Sequence, residues 1–380
     1  MKIAIMMRPM DADAGFRSIV EGMVESLLTV GKEHEYLLLY RTPKHYGRFA
    51  AHPNVTEVLL GPRSKLLWDQ VAVPWRAWRE GADVIYNPKF SVPLISHCPV
   101  TMGLHEPAQW AWPDHYEWFD RHYMRVALPL YIRKSRHLFP ISQFVIEENR
   151  KHLSLPIDNT TVSYPAPRPY FRRVEDREAL EAFRARLGLP ERFVVCVTRV
   201  SHAGLDGSTS FFPGKNVETA VRAFNLLRRI VPHRLVIAGL RAREYLLDLG
   251  FMEDDLEGVH FAGFVPHEEM PLLLSLADLF VIPSFYESYA MALVEAMTCG
   301  CPVVAAQTGA CPEITAGAAL LADPYKAKDF AEKMGTVLAD PELARTLSAR
   351  SLERAAFFRW ERTTTAMLEK FAEVAGARGR

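Results

Sequence analysis

The stretch LFVIPSFYESYAMALVEAMTCGCPVVAA, residues 279–306, contains one complete strand–helix–strand unit. Its opening LFVIPS is a short apolar run that predicts a buried strand, and PVVAA predicts another. Between them, ALVEAMTCG predicts a helix closed by Gly300, because glycine readily adopts the left-handed conformation that ends helices. A strand, a helix and a second strand in succession predict a parallel sheet and an α/β fold.

The same alternation continues on both sides of this unit. RFVVCVTRV, RLVIAG and VHFAGFV predict strands before it, and the first half repeats the pattern with KIAIMM, EYLLLY, ADVIYNP, CPVTMGLHE, HLFPIS and TTVSYPAP. Between the halves, residues 164–178 are rich in proline and charge and predict a linker. We therefore expect two doubly wound, Rossmann-like domains, residues 1–172 and 173–359, facing each other across a cleft that holds the ligand site.

Composition limits the classes of function. With 45 basic and 45 acidic residues the net charge is zero, so we expect no nucleic acid partner. We expect no signal peptide, no apolar run reaches about 20 residues, and five scattered cysteines indicate reduced thiols. These features predict a cytoplasmic protein. For Cys299 and Cys301 two interpretations stay open, a metal or redox role and a buried structural thiol.

Two glutamates stand near the helix of the opening stretch. Glu287 follows the strand, Ser288 is expected to cap the helix, and Glu295 lies about two turns inside it. Three backbone N–H groups at the helix start predict an anion site, those of Tyr289, Ala290 and Met291. Carboxylates on either side of such a site suit a ligand that carries both hydroxyls and phosphates. The alternative is that Glu287 caps the helix and Glu295 faces solvent.

A second group of residues could supply positive charge. Arg199 follows a predicted strand, Lys215 precedes a predicted helix, and a loop rich in glycine and serine connects them. A planar guanidinium and a compact ammonium both suit a diphosphate and could neutralise it as a leaving group. The alternative is two ordinary surface cations. The loop does not match the Walker pattern, and neither half has the glycine fingerprint of a dinucleotide-binding dehydrogenase.

Taken together, these motifs resemble the family-four retaining glycosyltransferases, which have the GT-B fold. The resemblance rests on Arg199, on Lys215-Asn216, on PSFYESYAMALVEAM with its Glu-x7-Glu spacing, and on CGCPVVAAQTGACPEI. It is weaker in the first half, at Gly15, GLHE and PISQF. The final FRWERTTTAML resembles the terminal helix of the family, which packs back on the first domain. We therefore expect a helix at about residues 360–380 to do so.

The resemblance implies a role for each matching residue. Arg199 and Lys215 would bind the donor diphosphate, and Glu295 would hold the ribose hydroxyls. Glu287 would contact the transferred sugar, and the backbone from Ser288 to Met291 would line the phosphate and sugar. His105 would lie near the reacting centre, and Gly15 would let the first loop approach the phosphate. For His105 a structural loop role stays open.

The same resemblance implies retention of configuration, no metal ion and no cofactor beyond the nucleotide-sugar donor. The acceptor would be a glycan, a lipid-linked molecule or a small molecule. Ser288 and Ala290 stand where glycine is common in the family, so the choice of sugar is open. An epimerase or a catalytically silent sugar-nucleotide-binding protein remains the alternative.

Two further features of the first half bear on partners. Six tryptophans lie there, and their faces suit sugar rings, a lipid tail or simple core packing: Trp68, Trp75, Trp78, Trp110, Trp112 and Trp118. DRHYMRVALPLYIRKSRH is basic and amphipathic, which indicates either peripheral contact with the inner membrane face or a solvated helix. For Asp11 to Asp13, whose spacing imitates a metal site, a solvated loop is the alternative.

Overall fold

The computed structural model describes residues 1–11, 14–61, 64–107, 110, 118–198 and 213–377. It contains two compact units, Met1–Ala166 with Arg359–Arg380, and Pro167–Phe358. The boundary between them falls within the proline-rich stretch that predicts a linker.

The first unit is built on a six-stranded parallel sheet. Its strands are β1 Lys2–Met6, β2 Glu35–Tyr40, β3 Val55–Leu59, β4 Val84–Asn87, β5 Val100–Leu104 and β6 His137–Pro140. Their order is β3-β2-β1-β4-β5-β6, the doubly wound arrangement in which the strand order reverses between β1 and β4. Its helices before the boundary are α1 Ala14–Val30, α2 Lys65–Leu67, α3 Val73–Arg79, α4 Trp118–Lys134 and α5 Gln143–Leu153. A π-helical turn, Trp68–Ala72, joins α2 to α3.

The strands of this sheet differ in how visible they are in the sequence. KIAIM and EYLLLY are almost wholly buried, which explains why their continuous apolar runs predict strands. The edge strand β3 is largely half-exposed and carries Glu57, so its pattern gives little signal. The strand predicted at TTVSYPAP was wrong. That segment makes one isolated bridge, Leu138 to Thr160, and donates from Thr161 and Ser163 to β6 before Pro165, which has no N–H to continue the pairing.

The second unit repeats the same architecture. Its strands are β7 Phe193–Val197, β8 Arg234–Ala238, β9 Val259–Gly263, β10 Leu279–Ile282, β11 Val303–Ala306 and β12 Leu320–Ala322. All neighbours are parallel, and the order β12-β11-β10-β7-β8-β9 reverses between β7 and β10. Its helices are α6 Arg177–Leu187, α7 Val217–Leu227, α8 Ala242–Asp248, α9 Met270–Leu276, α10 Met291–Thr298, α11 Cys311–Thr315, α12 Ala327–Ala339 and α13 Pro341–Ala355. The prediction of a doubly wound α/β fold is therefore confirmed for each unit.

The last helix, α14 Trp360–Gly376, belongs to the first unit although it follows the second in the chain. Met367 and Phe371 are fully buried in the core of the first unit. The hydroxyls of Ser26 and Thr364 are 2.8 Å apart, and Thr363 donates to the Tyr164 carbonyl. The amphipathic pattern of the tail thus corresponds to a helix that completes a core built mainly from residues far earlier in the chain.

Candidate active site

The reversal of strand order in the second unit marks where its ligand site should lie. In doubly wound sheets, ligands bind beyond the carboxyl ends of the strands at this switch point. Lys215 lies between β7 and α7, and Glu287 lies between β10 and α10. These two residues therefore belong to the two connections that flank the switch point.

Lys215 and Glu287 form a direct ion pair there. The Lys215 Nζ atom is 2.7 Å from Glu287 Oε1, and the Ser284 hydroxyl donates to the same oxygen at 2.7 Å. The side chains of Lys215 and Glu287 keep 25% and 11% of their exposure, so a ligand can reach both. The structure thus brings together two residues that lie 72 positions apart in the sequence.

The backbone of Glu287 is held from the other side by the turn after β11. The Ala310 N–H donates to the Glu287 carbonyl at 2.8 Å. Gly309 has φ of +61°, and a Cβ atom there would lie 2.6 Å from the Glu287 carbonyl oxygen. Only glycine permits this approach without displacement, so the turn at Gly309 positions Glu287.

Asn216 links two further loops of the site. Asn216 is buried, and its backbone has the left-handed conformation. Its side-chain amide donates to the carbonyls of Pro283 at 2.7 Å and Pro324 at 2.9 Å. These carbonyls follow β10 and β12. One side chain therefore positions the loops beyond two strands and also opens helix α7.

Helix α10 begins differently from the sequence prediction. Its first residue is Met291, and its N-cap is Ala290, which makes no side-chain cap. The predicted cap at Ser288 was wrong, since Ser288 lies two residues before the N-cap. The predicted helix start near Tyr289 is two residues too early. Ala290 has φ of +64°, an uncommon conformation for a residue with a Cβ atom.

Glu295 is held by residues that the sequence analysis missed. It is 5% exposed, and its Oε1 atom is 2.8 Å from His267 Nε2. His267 Nδ1 is in turn 2.6 Å from the Tyr170 hydroxyl. The solvated alternative for Glu295 was therefore wrong. The polar HEE after β9 was a weak signal for His267, but Tyr170 lies in the predicted linker, where nothing indicated a role.

His105 lies in the first unit, directly after β5. It is 6% exposed, and its Nε2 is 2.9 Å from the Pro88 carbonyl. Burial, followed by the charge of Lys89, lowers its pKa to about 3, although the bond to Pro88 opposes the shift. The ring is therefore neutral at physiological pH. Because a carbonyl only accepts, the proton is on Nε2 and the lone pair is on Nδ1.

The structure does not test the roles predicted for Arg199 and Gly15. Arg199 and most of the loop that follows it lie outside the described residues. Gly15 was expected in a loop, but it falls within the first turn of α1. Their roles stay predictions.

The sites weighed as metal or redox candidates are explained by local structure. Cys299 and Cys301 are buried, and burial raises the pKa of the Cys299 thiol to about 12 and that of Cys301 well above its usual range. Such thiols are inert. Asp11 accepts from the Thr42 hydroxyl at 2.7 Å, whereas Asp13 lies outside the described residues.

Comparison with known proteins identifies the class. A family model described as "Glycosyl transferases group 1" matches residues 208–354. O-antigen chain mannosyltransferase B of Escherichia coli is 26% identical over 307 residues, which are 78% of this chain and 76% of that protein. D-inositol 3-phosphate glycosyltransferase of Salinispora arenicola is 31% identical over 222 residues, which are 54% of this chain and 47% of the relative. The chain thus spans less than half of the second relative.

A crystal structure of HepE from Anabaena, in complex with UDP and glucose, is also similar. The TM-score is 0.70 with 19% identity, over 98% of this chain and 100% of that one. This similarity shows the fold, GT-B, which the resemblance in the sequence implies. Residues 208–354 thus match the group 1 glycosyltransferases, the family that the motifs in the sequence resemble.

Proposed function

We propose that this protein is a retaining hexosyltransferase that moves a sugar from a nucleotide-diphosphate sugar to a hydroxyl acceptor. The observation that carries the proposal is the Lys215–Glu287 ion pair at the switch point of the second unit. Two relatives, O-antigen chain mannosyltransferase B and D-inositol 3-phosphate glycosyltransferase, support it by their names. A second HepE structure, in complex with UDP-glucose, supports a nucleotide sugar as donor.

Lys215 would serve the diphosphate. In the pair, Glu287 balances the charge of Lys215 at a distance of 2.7 Å. An arriving diphosphate can take over that role, because a phosphate oxygen and a carboxylate oxygen are equivalent partners for an ammonium group. Glu287 then becomes an acceptor for hydroxyls of the sugar. The ion pair thereby keeps both groups in place before the donor arrives.

The proposed reaction balances without a protein nucleophile. The bond from the anomeric carbon to the diphosphate oxygen breaks, and a bond from the same face to the acceptor oxygen forms. The acceptor proton passes to the leaving phosphate. Lys215 would stabilise the charge that develops on that phosphate. His105, with its lone pair on Nδ1, would accept from a sugar hydroxyl rather than supply a proton.

Binding and turnover with matched variants test this proposal. Wild type is screened against UDP, GDP, ADP and TDP sugars by thermal shift, and the responding donor is used for kinetics. Lys215→Ala should lower kcat/KM by about a hundredfold or more, the scale of losing one charge-stabilising donor. Lys333→Ala, at a partly exposed lysine on α12 of the same unit, should match wild type. Failure of every donor to bind would reject the proposal, and binding without turnover would favour the silent binding protein.

The stereochemistry and metal requirement need separate measurements. NMR of the first-formed product should show the same anomeric configuration as the donor. Turnover should be unchanged by EDTA, because Lys215 and backbone N–H groups would supply the positive charge. An inverted product, or activity restored only by a divalent ion, would contradict these parts alone.

We further propose that the first unit contacts an anionic membrane surface, where it would reach a lipid-linked acceptor from the cytoplasmic side. No helix among the described residues is long and apolar enough to span a bilayer. One helical face of α2, the π-helical turn and α3 is instead exposed and apolar: Leu67, Val71, Trp75 and Trp78, each between 51% and 62% exposed. The Arg79 guanidinium lies 5.5 Å from the Trp75 ring. Tryptophan beside arginine suits an anionic lipid interface.

Vesicle binding tests this contact. The protein should sediment with phosphatidylglycerol vesicles and much less with phosphatidylcholine vesicles. Trp75→Ser combined with Trp78→Ser should reduce binding about tenfold or more. Ile230→Ser, an exposed apolar residue of the second unit, is the control. Equal binding by the double variant would reject this surface.

A further inference from the structure

His267 links Glu295 to Tyr170 through hydrogen bonds at both ring nitrogens. Its Nε2 faces Glu295 Oε1 at 2.8 Å, and its Nδ1 faces the Tyr170 hydroxyl at 2.6 Å. We propose that His267 is a positioning residue that, aligned by Tyr170, holds the Glu295 carboxylate for the donor ribose and makes donor binding strongest when its ring is charged. This inference rests on the proposed function, in which Glu295 binds ribose.

The geometry explains how the carboxylate is held. A carboxylate only accepts hydrogen bonds, so Nε2 must carry a proton toward Glu295. A hydroxyl both donates and accepts, so Tyr170 can pair with Nδ1 whether or not Nδ1 is protonated. The rings of Tyr170 and Phe171 also pack on the imidazole, with centroids 5.8 Å and 4.9 Å away. His267 is therefore fixed at both nitrogens and along its ring.

Glu295 is left with one oxygen for a ligand. Its Oε1 atom is bonded to His267, whereas Oε2 makes no hydrogen bond to any part of the chain that the structure describes. Vicinal ribose hydroxyls donate well to such an oxygen. A glutamate has three rotatable side-chain bonds, and holding it in one conformation before binding reduces the entropy lost when the ligand arrives.

The charged and titratable groups around His267 favour its protonated form. They are Glu295 from α10, Glu268 from its own loop, and Arg168 and Tyr170 from the segment before α6. Burial lowers the pKa of His267, but the hydrogen bond and charge of Glu295, with the charge of Glu268, outweigh it and raise the pKa above the ordinary value. Arg168 opposes the rise. The ring is thus charged below its raised pKa and neutral above it, where its bond to Glu295 loses charge assistance.

Donor affinity measured against pH tests the proposal. A nucleotide sugar is the right probe, because its diphosphate is a diester and keeps its charge from about pH 6 to about pH 9. For wild type, we expect the Kd of the donor found in the panel to rise about three- to tenfold across that range, with a single-group transition above the ordinary histidine pKa. His267→Gln keeps an N–H donor but does not titrate, so its Kd should stay flat with pH. A transition that persists in His267→Gln would overturn the proposal.

A double-mutant cycle separates positioning from folding. His267→Leu should raise Kd and KM about tenfold with little change in kcat, because the ribose is remote from the reacting centre. The same change on a Glu295→Gln background should add little, and Tyr170→Phe should cost about twofold to threefold. Melting temperatures check that the variants fold.

The outcomes distinguish the two proposals. If Glu295→Gln binds the donor as tightly as wild type, the proposed ribose role fails. If Glu295→Gln is impaired while His267→Leu binds as wild type, or if the two effects simply add, only the positioning role is overturned. Should His267→Leu fail to fold, the flat profile of His267→Gln still decides.

Discussion

His105 and His267 have opposite pKa shifts because their partners differ. His105 is buried against a carbonyl and two aromatic rings, and burial with the charge of Lys89 outweighs the hydrogen bond to Pro88 and disfavours a positive charge. His267 faces a carboxylate, which favours a positive charge. One histidine is therefore a neutral acceptor and the other a donor that is easily charged, although both follow a strand in the sequence.

The folded state should respond to acid through His105. Its pKa is about 3 in the folded protein and about 6.5 when unfolded, so the unfolded state takes up the proton first. Above about pH 6.5, His105 is neutral in both states and does not lower the free energy of unfolding. As the pH decreases below that value, the free energy of unfolding falls, by about 2 kcal/mol at pH 5.

Urea denaturation of His105→Gln at about pH 5 and pH 7.5 measures this effect. From pH 7.5 to pH 5, the free energy of unfolding of the variant should fall by about 2 kcal/mol less than that of wild type. His267→Gln is the matched control, because a raised pKa has the opposite sign and its removal should not reduce the acid loss. An unchanged pH dependence in His105→Gln would contradict the assignment.

Ala290 combines a strained conformation with a place at the site. A φ of +64° costs a residue with a Cβ atom about 1–2 kcal/mol relative to glycine. Glycine makes the unfolded chain more flexible, which cancels part of the stability that removing this strain would gain. Ala290→Gly should therefore stabilise the protein by about 0.5–1 kcal/mol and widen the range of sugars accepted.

Ala316→Gly separates these two effects. Ala316 is also left-handed, at the end of α11, so the same stability gain is expected without any change in donor preference. Thermal unfolding and a donor panel run on both variants make the comparison. A similar shift of donor preference in both variants would show that Ala290 has no special place at the sugar.

At the scale of elements, the connections after parallel strands assemble the site. The loop after β10 contributes Glu287, the segment before α7 contributes Lys215, and the turn after β11 supports the Glu287 backbone. The loops after β10 and β11 both begin at strand ends, and the hydrogen bond from Ala310 to the Glu287 carbonyl joins them. Glu287 is therefore held by two neighbouring strand ends.

Gly309→Ala should disturb this assembly. The new Cβ atom would lie 2.6 Å and 2.8 Å from backbone atoms of Glu287, so the loop must move. A displacement of about 1 Å at a reacting site costs about a hundredfold in rate. We expect kcat/KM to fall by about that factor, measured with the donor found in the panel.

Gly317→Ala is the control for backbone strain. Its φ is +88°, but nothing lies within 4 Å of the added Cβ atom. Both variants should lose about 1 kcal/mol of stability, and only Gly309→Ala should lose activity. Equal activity in the two would show that the turn does not position Glu287.

At the scale of the whole molecule, the chain returns to its first unit after completing the second. Helix α14 contributes Trp360, Met367 and Phe371 to the core that α1 and the first sheet form. A Cβ atom on Gly22 would lie 2.5 Å from the Trp360 indole nitrogen, so α1 leaves room for this ring. The core of the first unit is therefore incomplete until α14 has been made, after the second unit.

Removal of residues 359–380 should unfold the first unit selectively. Each large apolar side chain lost from a core costs about 1.5–3 kcal/mol, and three such losses approach the stability of a typical domain. Hydrogen exchange should show lost protection in β1, β4 and β6, with the second unit still protected. A chain that ends at residue 377 is the control and should keep wild-type protection.

The predictability of the fold follows from local pattern. Strands buried on both faces, such as β1 and β10, carry continuous apolar runs, and Gly300 ends α10 where predicted, with φ of +69°. The edge strand β3 and the three-residue β12 gave no clear period, so the six-strand order was not evident. TTVSYPAP had strand composition, but its pairing with β6 is limited to one bridge, and Pro165 cannot extend it.

At the candidate site, individual residues could be predicted from the sequence, but their hydrogen-bond partners could not. Glu287 and Glu295 stood out because carboxylates interrupt an apolar stretch, and Lys215 because it ends a glycine-rich loop. Their partners had no such marks. Tyr170 lies 97 residues from His267, and a tyrosine in a proline-rich segment has no periodicity that could predict a hydrogen bond.

By itself, the sequence determined the alternation of strands and helices, the two doubly wound halves and the chemical types of residue at the candidate site. These are local properties, set by apolar periodicity and by residue type. Only the tertiary structure decided which groups meet. It pairs Lys215 with Glu287, connects Glu295 through His267 to Tyr170, and returns α14 to the first core. Such pairings depend on distances between segments far apart in the chain, which no local pattern encodes.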